Sequence, residues 1–422
     1  MIIYIIYIIL SPLLYILLLI SLIFNNKIRL RFFSYSKLFT NAIKKINETD
    51  KKIILFHAAS NGELEQLKPF FRTIDRNKYF ILLTISSPSC IDSIYSNDVD
   101  CFCYQAFDFP WSVYNFFQKI KPEKYIITRH DIWPNHISIA YILSIKSYLI
   151  NANLPKSSKR LLPVLKLLYQ FLFKKFKGIY TVSEDMKIRI KEFLINSNKI
   201  KVLGDTRFDQ IKYRKKDMSK NIRITKKIKE SKNILFGSIE EQDINIIFNS
   251  LNKLNPNLNN INLIFVPHEP EENILINLES NLKELGIVPT RYSNSMTNQN
   301  TNIDLIGPQA LLIDSTGILA DLYKYSAVSY IGCGFGKGVH NVAEPAIYGN
   351  IICFGPNYHI LNEAVEMVQK EIAYSIKNPE ELTNVLNIIF DDIKLKENSE
   401  KISQYINSKF NLTKRIIDEI FD

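Results

Sequence analysis

The apolar positions of this chain change their pattern twice. Residues 1–24 carry no charged side chain and are apolar almost throughout, a run long enough to span a bilayer. Lys27, Arg29 and Arg31 follow at once, and by the positive-inside rule everything downstream is expected in the cytoplasm. No basic segment precedes the run and no small-residue cleavage site ends it, so we expect an uncleaved anchor helix over 1–25 and not a signal peptide. From residue 51 onward, short apolar runs alternate with segments of helical period. Runs at 53–56, 79–85, 124–128, 147–151 and 178–182 predict strands, and one at 199–203 closes a first domain over 26–210. The basic stretch 211–232 is poor in apolar residues and predicts a hinge. The alternation restarts at 234–236, 262–266, 311–313, 327–331 and 351–354, giving a second domain over 233–400 before a C-terminal helix at 401–422. Such alternation predicts two α/β, Rossmann-like domains with parallel sheets, whose sites lie at the carboxyl ends of the strands.

Composition narrows the partners. A chain of 422 residues exceeds the usual size of a single core, in keeping with two domains. The net charge of +11 suits an anionic surface such as phospholipid or a phosphorylated glycolipid. No nucleic-acid motif accompanies it, so no nucleic-acid partner is expected. Cys90, Cys101, Cys103, Cys333 and Cys353 form no C-x-x-C pair, which favours a reduced compartment without a structural metal. The segment 161–177 mixes apolar residues with Lys166, Lys174, Lys175 and Lys177. It reads either as an ordinary amphipathic helix or as a face toward an anionic membrane.

Two turns concentrate the chemistry. The first follows strand 53–56, where His57-Ala-Ala-Ser60-Asn61-Gly62-Glu63 leads into a helix. Glu63 in the first turn either stabilises the helix N-terminus or serves as a base; Gly62 beside it lets a substrate approach the backbone. The second follows strand 327–331, which stops at Gly332, Gly334, Gly336 and Gly338. His340, Asn341 and Glu344 then open a predicted helix with Pro345 near its start. Strand, glycine turn and helix N-terminus make a natural anion site, with Glu344 placed for ribose hydroxyls. No D-x-D pair stands at a strand end. Asp98-Val99-Asp100 precedes a strand and reads as a surface turn, so no metal is expected.

The full string Gly338-x-His340-Asn341-x-x-Glu344-Pro345-Ala, followed by a strand and Gly355-Pro356-Asn357, closely resembles the nucleotide-sugar motif of Kdo (3-deoxy-D-manno-octulosonic acid) transferases. The resemblance runs along nearly the whole chain. It takes in His57-Ala-Ala-Ser-x-Gly-Glu63, Asp108-x-Pro-Trp111, Ile132-Trp133-Pro134-Asn135, Asn151-Ala-Asn153, Gly204-Asp-Thr-Arg207-Phe-Asp209, Gly237-Ser238, Val266-Pro267-His268 and Asp314-x-x-Gly317. It implies a GT-B architecture, two Rossmann-like domains facing a cleft, behind an N-terminal transmembrane helix at the bacterial inner membrane. It also implies an inverting, metal-independent transfer of Kdo from CMP-Kdo to a lipid A precursor, with inner-membrane lipids as surroundings and no cofactor. By the same resemblance Glu63 is the catalytic base, supported by Asp131. Ser60, Asn61, Gly62, Arg129 and Arg207 would meet the acceptor or the Kdo. Gly237, Ser238, His268, Ser315, Thr316, Gly317, Lys337, Gly338, His340, Asn341 and Glu344 would hold the nucleotide sugar.

The chain departs from that family pattern at three places. Arg129 and Asp131 stand where the family usually has E-T-E, Glu240 stands where many members have histidine, and His268 replaces the arginine of P-R-H. Two other readings therefore stay open: a GT-B transferase using another nucleotide sugar, and a membrane-tethered binding protein with a decayed site.

Overall fold

The structure, a computed structural model, describes residues 2–94, 98–156, 158–194, 198–216, 224, 226–254, 258, 261–297 and 309–422. The chain divides into two compact units, Met1–Gln210 with Lys409–Asp422, and Ile211–Ser408.

The first unit runs α1 (Ile2–Ile9), α2 (Ser11–Phe24), α3 (Asn26–Asn47), β1 (Lys52–Ala58), α4 (Asn61–Thr73), β2 (Tyr79–Ile85), β3 (Cys101–Tyr104), α5 (Pro110–Ile120), β4 (Lys124–Thr128), α6 (Pro134–Ile142), β5 (Lys146–Ala152), α7 (Pro163–Phe173), β6 (Gly178–Thr181), α8 (Glu184–Lys191), β7 (Ile200–Val202) and the start of α9 (Arg207–Lys216). Its seven strands are all parallel, in the order β3-β2-β1-β4-β5-β6-β7. Helices cover both faces, so the strands are near-continuous apolar runs and not alternating ones. In β1, for example, Ile54, Leu55, Phe56 and Ala58 are all buried. Pro110 and Pro134 each fall in the first turn of a helix, where the missing N–H removes no hydrogen bond.

The second unit continues with α10 (Lys226–Glu230), β8 (Asn233–Ile239), α11 (Glu241–Leu254), β9 (Asn262–Pro267), α12 (Glu272–Glu284), β10 (Val288–Arg291), α13 (Tyr292–Thr297), β11 (Gln309–Leu312), α14 (Leu319–Leu322), β12 (Val328–Ile331), α15 (Ala343–Ala346), β13 (Ile351–Phe354), α16 (Asn362–Gln369), β14 (Tyr374–Ser375), α17 (Pro379–Leu386) and α18 (Asp392–Ser408). Its sheet is also parallel and seven-stranded, ordered β10-β11-β9-β8-β12-β13-β14.

Three expectations change shape. Where one straight helix is expected over 1–25, the chain forms α1 and α2, bent by 52°. Pro12 lies in the first turn of α2, where its ring cannot continue the preceding helix. No single described helix is long and apolar enough to cross a membrane. By length and composition alone the bent pair α1–α2 could do so together, and α1 is also tied to the first unit: the Tyr4 hydroxyl donates to Asn135 Oδ1 at 3.1 Å and the Tyr7 hydroxyl to Asp108 Oδ2 at 2.9 Å. The C-terminal stretch 401–422 is the end of α18 and a separate helix, α19 (Leu412–Phe421). Asp209 fixes the start of α19 by accepting from the Asn411 and Thr413 N–H groups, each at 2.7 Å. The hinge read over 211–232 opens as the end of α9, and much of it, 217–223 and 225, lies outside the described residues.

Two glycines after β12 are demanded by packing. A Cβ on Gly332 would strike the Ser238 carbonyl and lie 2.7 Å from Ile239 Cα, and one on Gly334 would lie 2.5 Å from the Gly355 nitrogen. Gly332→Ala should therefore cost about 1–3 kcal/mol, seen as a lower denaturant midpoint for the second unit. Gly62→Ala, whose Cβ meets nothing within 4 Å, should leave the midpoint unchanged.

Candidate functional site

In each sheet the strand order reverses once, between β1 and β4 and between β8 and β12. At such a point the two following loops diverge and leave a crevice at the strand ends, the usual ligand position in open α/β sheets.

In the first unit that crevice carries the turn after β1 and the loop after β4. Ser60 caps α4, its hydroxyl accepting from the Glu63 N–H at 3.4 Å. Glu63 reaches back and accepts from the Ala59 N–H at 2.7 Å, a variant of the reciprocal capping box. So Glu63 does stabilise the helix start, as the plainer reading of the sequence holds, and it is also buried. Burial raises its pKa; the Ala59 N–H, His57 and Arg129 oppose that rise, and Asp131 adds to it. Asp131 moves the other way. Despite burial it is held down to about 2, chiefly by His57, with help from the Trp133 side chain and Arg31. The His57 Nε2–H donates to Asp131 Oδ2 at 2.7 Å, while Nδ1 lies 3.1 Å from Thr84 Oγ1. Two carboxylates thus occupy one crevice with opposed affinities for a proton, an arrangement that separates acid–base roles.

The other residues expected here divide. Arg129 adopts φ +60° and bears on Glu63 electrostatically. Gly62 opens onto free space, and Asn61 is exposed, donating to the Ser89 carbonyl at 3.3 Å. Arg207 is turned into its own loop, with Nε donating to Asp205 Oδ2 at 2.9 Å; Asp205 in turn accepts from Gln66 at 2.9 Å. Sequence reasoning missed His57 and Arg31 as parts of the site. His57 stands inside a quoted motif, yet its partner Asp131 is 74 residues away. Arg31, from α3, donates to the Gln105 carbonyl at 2.8 Å and lies 4.4 Å over the Phe107 ring.

In the second unit, Gly237 and Ser238 end β8 and the glycine-rich turn follows β12. Asp243, buried at the start of α11, ties the two together. It accepts from the Glu240 N–H at 2.8 Å, the Cys333 N–H at 3.0 Å and the Tyr330 hydroxyl at 2.6 Å. Ser238 and Cys333 both have left-handed backbones, φ +53° and +64°, a cost that surrounding structure must hold in place. His268 and His340 stack ring on ring, centroids 4.8 Å apart at 6°, while Lys337 is exposed on the same turn and Gly338 takes φ +113°.

The predicted helix after this turn is one turn long. His340 and Asn341 precede it, and the Asn341 side chain accepts from the Ala343 and Glu344 N–H groups at 3.0 and 3.3 Å. The donors expected to face an anion there are therefore satisfied within the protein. Glu344 lies 3.5 Å from Arg214 Nη1, in a shallow recess that Lys215, Asp321 and Tyr348 also line. After β11, Gly317 adopts φ +83° beneath open space and Thr316 is exposed beside it. The Ser315 hydroxyl is buried without a hydrogen-bond partner among the described residues, the sort of group a ligand satisfies. No ligand set was legible for His268, Cys333 and His340, whose coordinating atoms lie within 4.8 Å of one another.

Known proteins resemble this chain in sequence and in fold. Residues 27–210 match the family described as 3-deoxy-D-manno-octulosonic-acid transferase (kdotransferase). The chain is 26% identical over 359 residues to a 3-deoxy-D-manno-octulosonic acid transferase of Aquifex aeolicus, covering 83% of this chain and 91% of that protein. Among solved structures, a glycosyltransferase from Rickettsia africae is similar in fold with TM-score 0.55 and 14% identity, over 88% of this chain and 98% of that one. UDP-GlcNAc 2-epimerase from Neisseria meningitidis is similar with TM-score 0.61 and 15% identity, over 88% and 99%.

The His57–Asp131 pair makes a prediction for stability. A carboxyl held below its ordinary pKa stabilises the fold above that ordinary value, and the contribution is lost as pH falls toward about 2. Asp131→Asn should cost roughly 2 kcal/mol at neutral pH, read as a lower urea midpoint, and the gap from wild type should narrow below about pH 4.

Proposed function

We propose that this chain, a relative of the Kdo transferases whose first unit carries that family's domain, transfers Kdo from CMP-Kdo to a hydroxyl of a lipid A precursor with inversion. The observation that carries the reading is the buried Glu63 at the β1–β4 crevice, beside ionised Asp131. A sugar hydroxyl is a poor nucleophile at neutral pH, and a carboxylate whose pKa is raised toward working pH is a better proton acceptor for it. Asp131, held ionised, keeps the neighbouring His57 in place and is assigned the supporting role. Ser60, Asn61, Gly62 and Arg129 border the open side of that turn and are assigned to the acceptor or the Kdo carboxylate, with Arg207 contributing from its Asp205-bound position.

The donor is assigned to the second unit. The end of β8, with Gly237 and Ser238, together with His268, Lys337, Gly338 and His340, is assigned to the leaving phosphate; in this reading no metal or cofactor is required. The unpartnered Ser315 hydroxyl with Thr316 and Gly317 is assigned to the base. Asn341 acts by shaping the turn, and Glu344 in its recess is assigned to the ribose. Supporting the choice of a single-phosphate donor is the small number of cations at this turn, since a diphosphate calls for stronger charge-assisted clamping. Retention of an organised, strained turn at both crevices argues against a decayed binding protein.

We further propose attachment to the inner membrane through α1 and α2, with both units cytoplasmic. Ile2, Ile6, Ile9, Leu13, Ile20 and Phe24 are exposed on them. Because Tyr4 and Tyr7 hold α1 against the first unit, shallow insertion is favoured over a straight span. The protein should float with anionic phospholipid vesicles and be released when residues 2–24 are removed. Flotation unchanged by the deletion would refute this attachment.

The transfer is tested by acceptor-dependent CMP release from CMP-Kdo made in situ. Glu63→Gln should lower turnover by about 100-fold or more. The acidic limb of the wild-type profile should lie above the ordinary glutamate value of about 4.3, because activity falls as pH drops through the raised Glu63 pKa. Robust turnover by the mutant would remove Glu63 as base.

A further inference from the structure

The loops after β9 and β12 bring together three side chains with a chemistry of their own. His268 follows β9, Cys333 follows β12, and His340 ends the glycine-rich turn. One imidazole nitrogen from each histidine and the Cys333 sulfur lie within 4.8 Å of one another. A tetrahedral zinc site with Zn–N near 2.0–2.1 Å and Zn–S near 2.3 Å has ligand–ligand edges of about 3.3–3.6 Å. The three atoms are thus within roughly 1.5 Å of a coordinating triangle. The histidines are exposed, so their rings can make that adjustment by rotation.

The donor set is selective. Two imidazoles and one thiolate suit a borderline cation, and they suit magnesium or calcium poorly, since those take oxygen ligands. The Cys333 backbone is fixed by its N–H bond to Asp243 at 3.0 Å and by its left-handed φ, which aims Sγ inward; there it lies 3.2 Å from the Ser238 carbonyl. The Glu240 side chain hydrogen-bonds the Cys333 thiol and bears electrostatically on His340. Its carboxylate can neutralise a bound cation or supply a fourth ligand. Two things oppose the cation: exposed Lys337 on the same turn, whose charge also bears on His340, and burial, which with Glu240 and Asp243 pushes the Cys333 thiol up to about 12, so that binding must displace its proton.

We propose that His268, Cys333 and His340 bind a borderline divalent cation, Zn2+ in the first instance, leaving one coordination position for Glu240 or an anionic oxygen from solution. A three-ligand site with an open position has the form of reactive zinc centres and not of closed structural ones. The proposal gives His268 and His340, assigned above to the leaving phosphate, a second role that the transfer reading does not require, and it is read out by metal binding and not by transfer. The ligands come from two loops far apart in the chain, one after β9 and one after β12, so no local spacing shows all three.

Cobalt is the probe. Full-length, detergent-solubilised protein stripped by a chelator should bind one equivalent of Co2+, with a thiolate-to-cobalt charge-transfer band in the near ultraviolet. One equivalent of Zn2+ should bleach that band. Cys333→Ser should abolish it while circular dichroism stays unchanged, and His268→Gln with His340→Gln should weaken Co2+ binding by at least the ~10-fold that loss of even a supporting contact costs. If the serine variant does not fold, the double histidine variant alone decides. Absence of the band in wild type, its persistence in Cys333→Ser, or unchanged affinity in the histidine variant would overturn the proposal. Transfer activity plays no part in this readout.

Discussion

Both units of this chain are governed by the reversal of strand order in a parallel sheet. After β1 the chain builds outward through β2 and β3, then returns to lay β4 against the free side of β1. The loops leaving β1 and β4 must run in opposite directions, and the space between them cannot be filled by either. The second unit repeats the manoeuvre with β8 and β12. Polar side chains at those four loop starts face solvent-accessible space on a rigid base, which is the condition for oriented chemistry. A loop in such a place needs its own fixation, and each unit supplies one acidic hub, half-buried in the first and fully buried in the second. Asp131 holds His57 in the first unit, and Asp243 gathers Glu240, Tyr330 and Cys333 in the second.

The electrostatics of the first crevice follow from unequal partnership. Glu63 is buried with a single backbone N–H for company, so desolvation dominates and the neutral form is favoured. Asp131 meets the same desolvation but faces His57, Trp133 and Arg31, and the ionised form prevails. One carboxylate is prepared to take a proton while the other stays charged. Arg129, where the resemblance leads one to expect a third acidic group, lowers the proton affinity of Glu63 instead of raising it. The departure therefore moderates the raised proton affinity of Glu63 and leaves the carboxyl in place.

Much of this was legible along the chain, because strand runs and turn residues are local signals. The two-unit α/β organisation, the Ser60–Glu63 turn and the glycine-rich turn each lie within a short window of residues. What escaped was long-range or depended on the satisfaction of hydrogen bonds. His57 gains its role from Asp131, and the Cys333 backbone from Asp243, across 74 and 90 residues. The helix predicted from His340 starts only at Ala343, where the Asn341 side chain ahead of it accepts from the Ala343 and Glu344 N–H groups, and it ends at Ala346. The apolar N-terminus reads as one span, since the hydroxyls of Tyr4 and Tyr7, which tie α1 to Asn135 and Asp108, have no periodic signature. Likewise α19 joins the first unit through Asp209, a contact between residues about two hundred positions apart.

The central claim is that this chain places Kdo on a lipid acceptor with Glu63 as the base. Mass spectrometry of lipid from a bacterium depleted of its own Kdo transferase, and supplied with this chain, tests it directly. The account predicts Kdo-bearing lipid A with the wild-type chain and unmodified precursor with Glu63→Gln at equal protein level. Unmodified precursor with the wild-type chain, or Kdo-bearing lipid in equal amount with the variant, would contradict it.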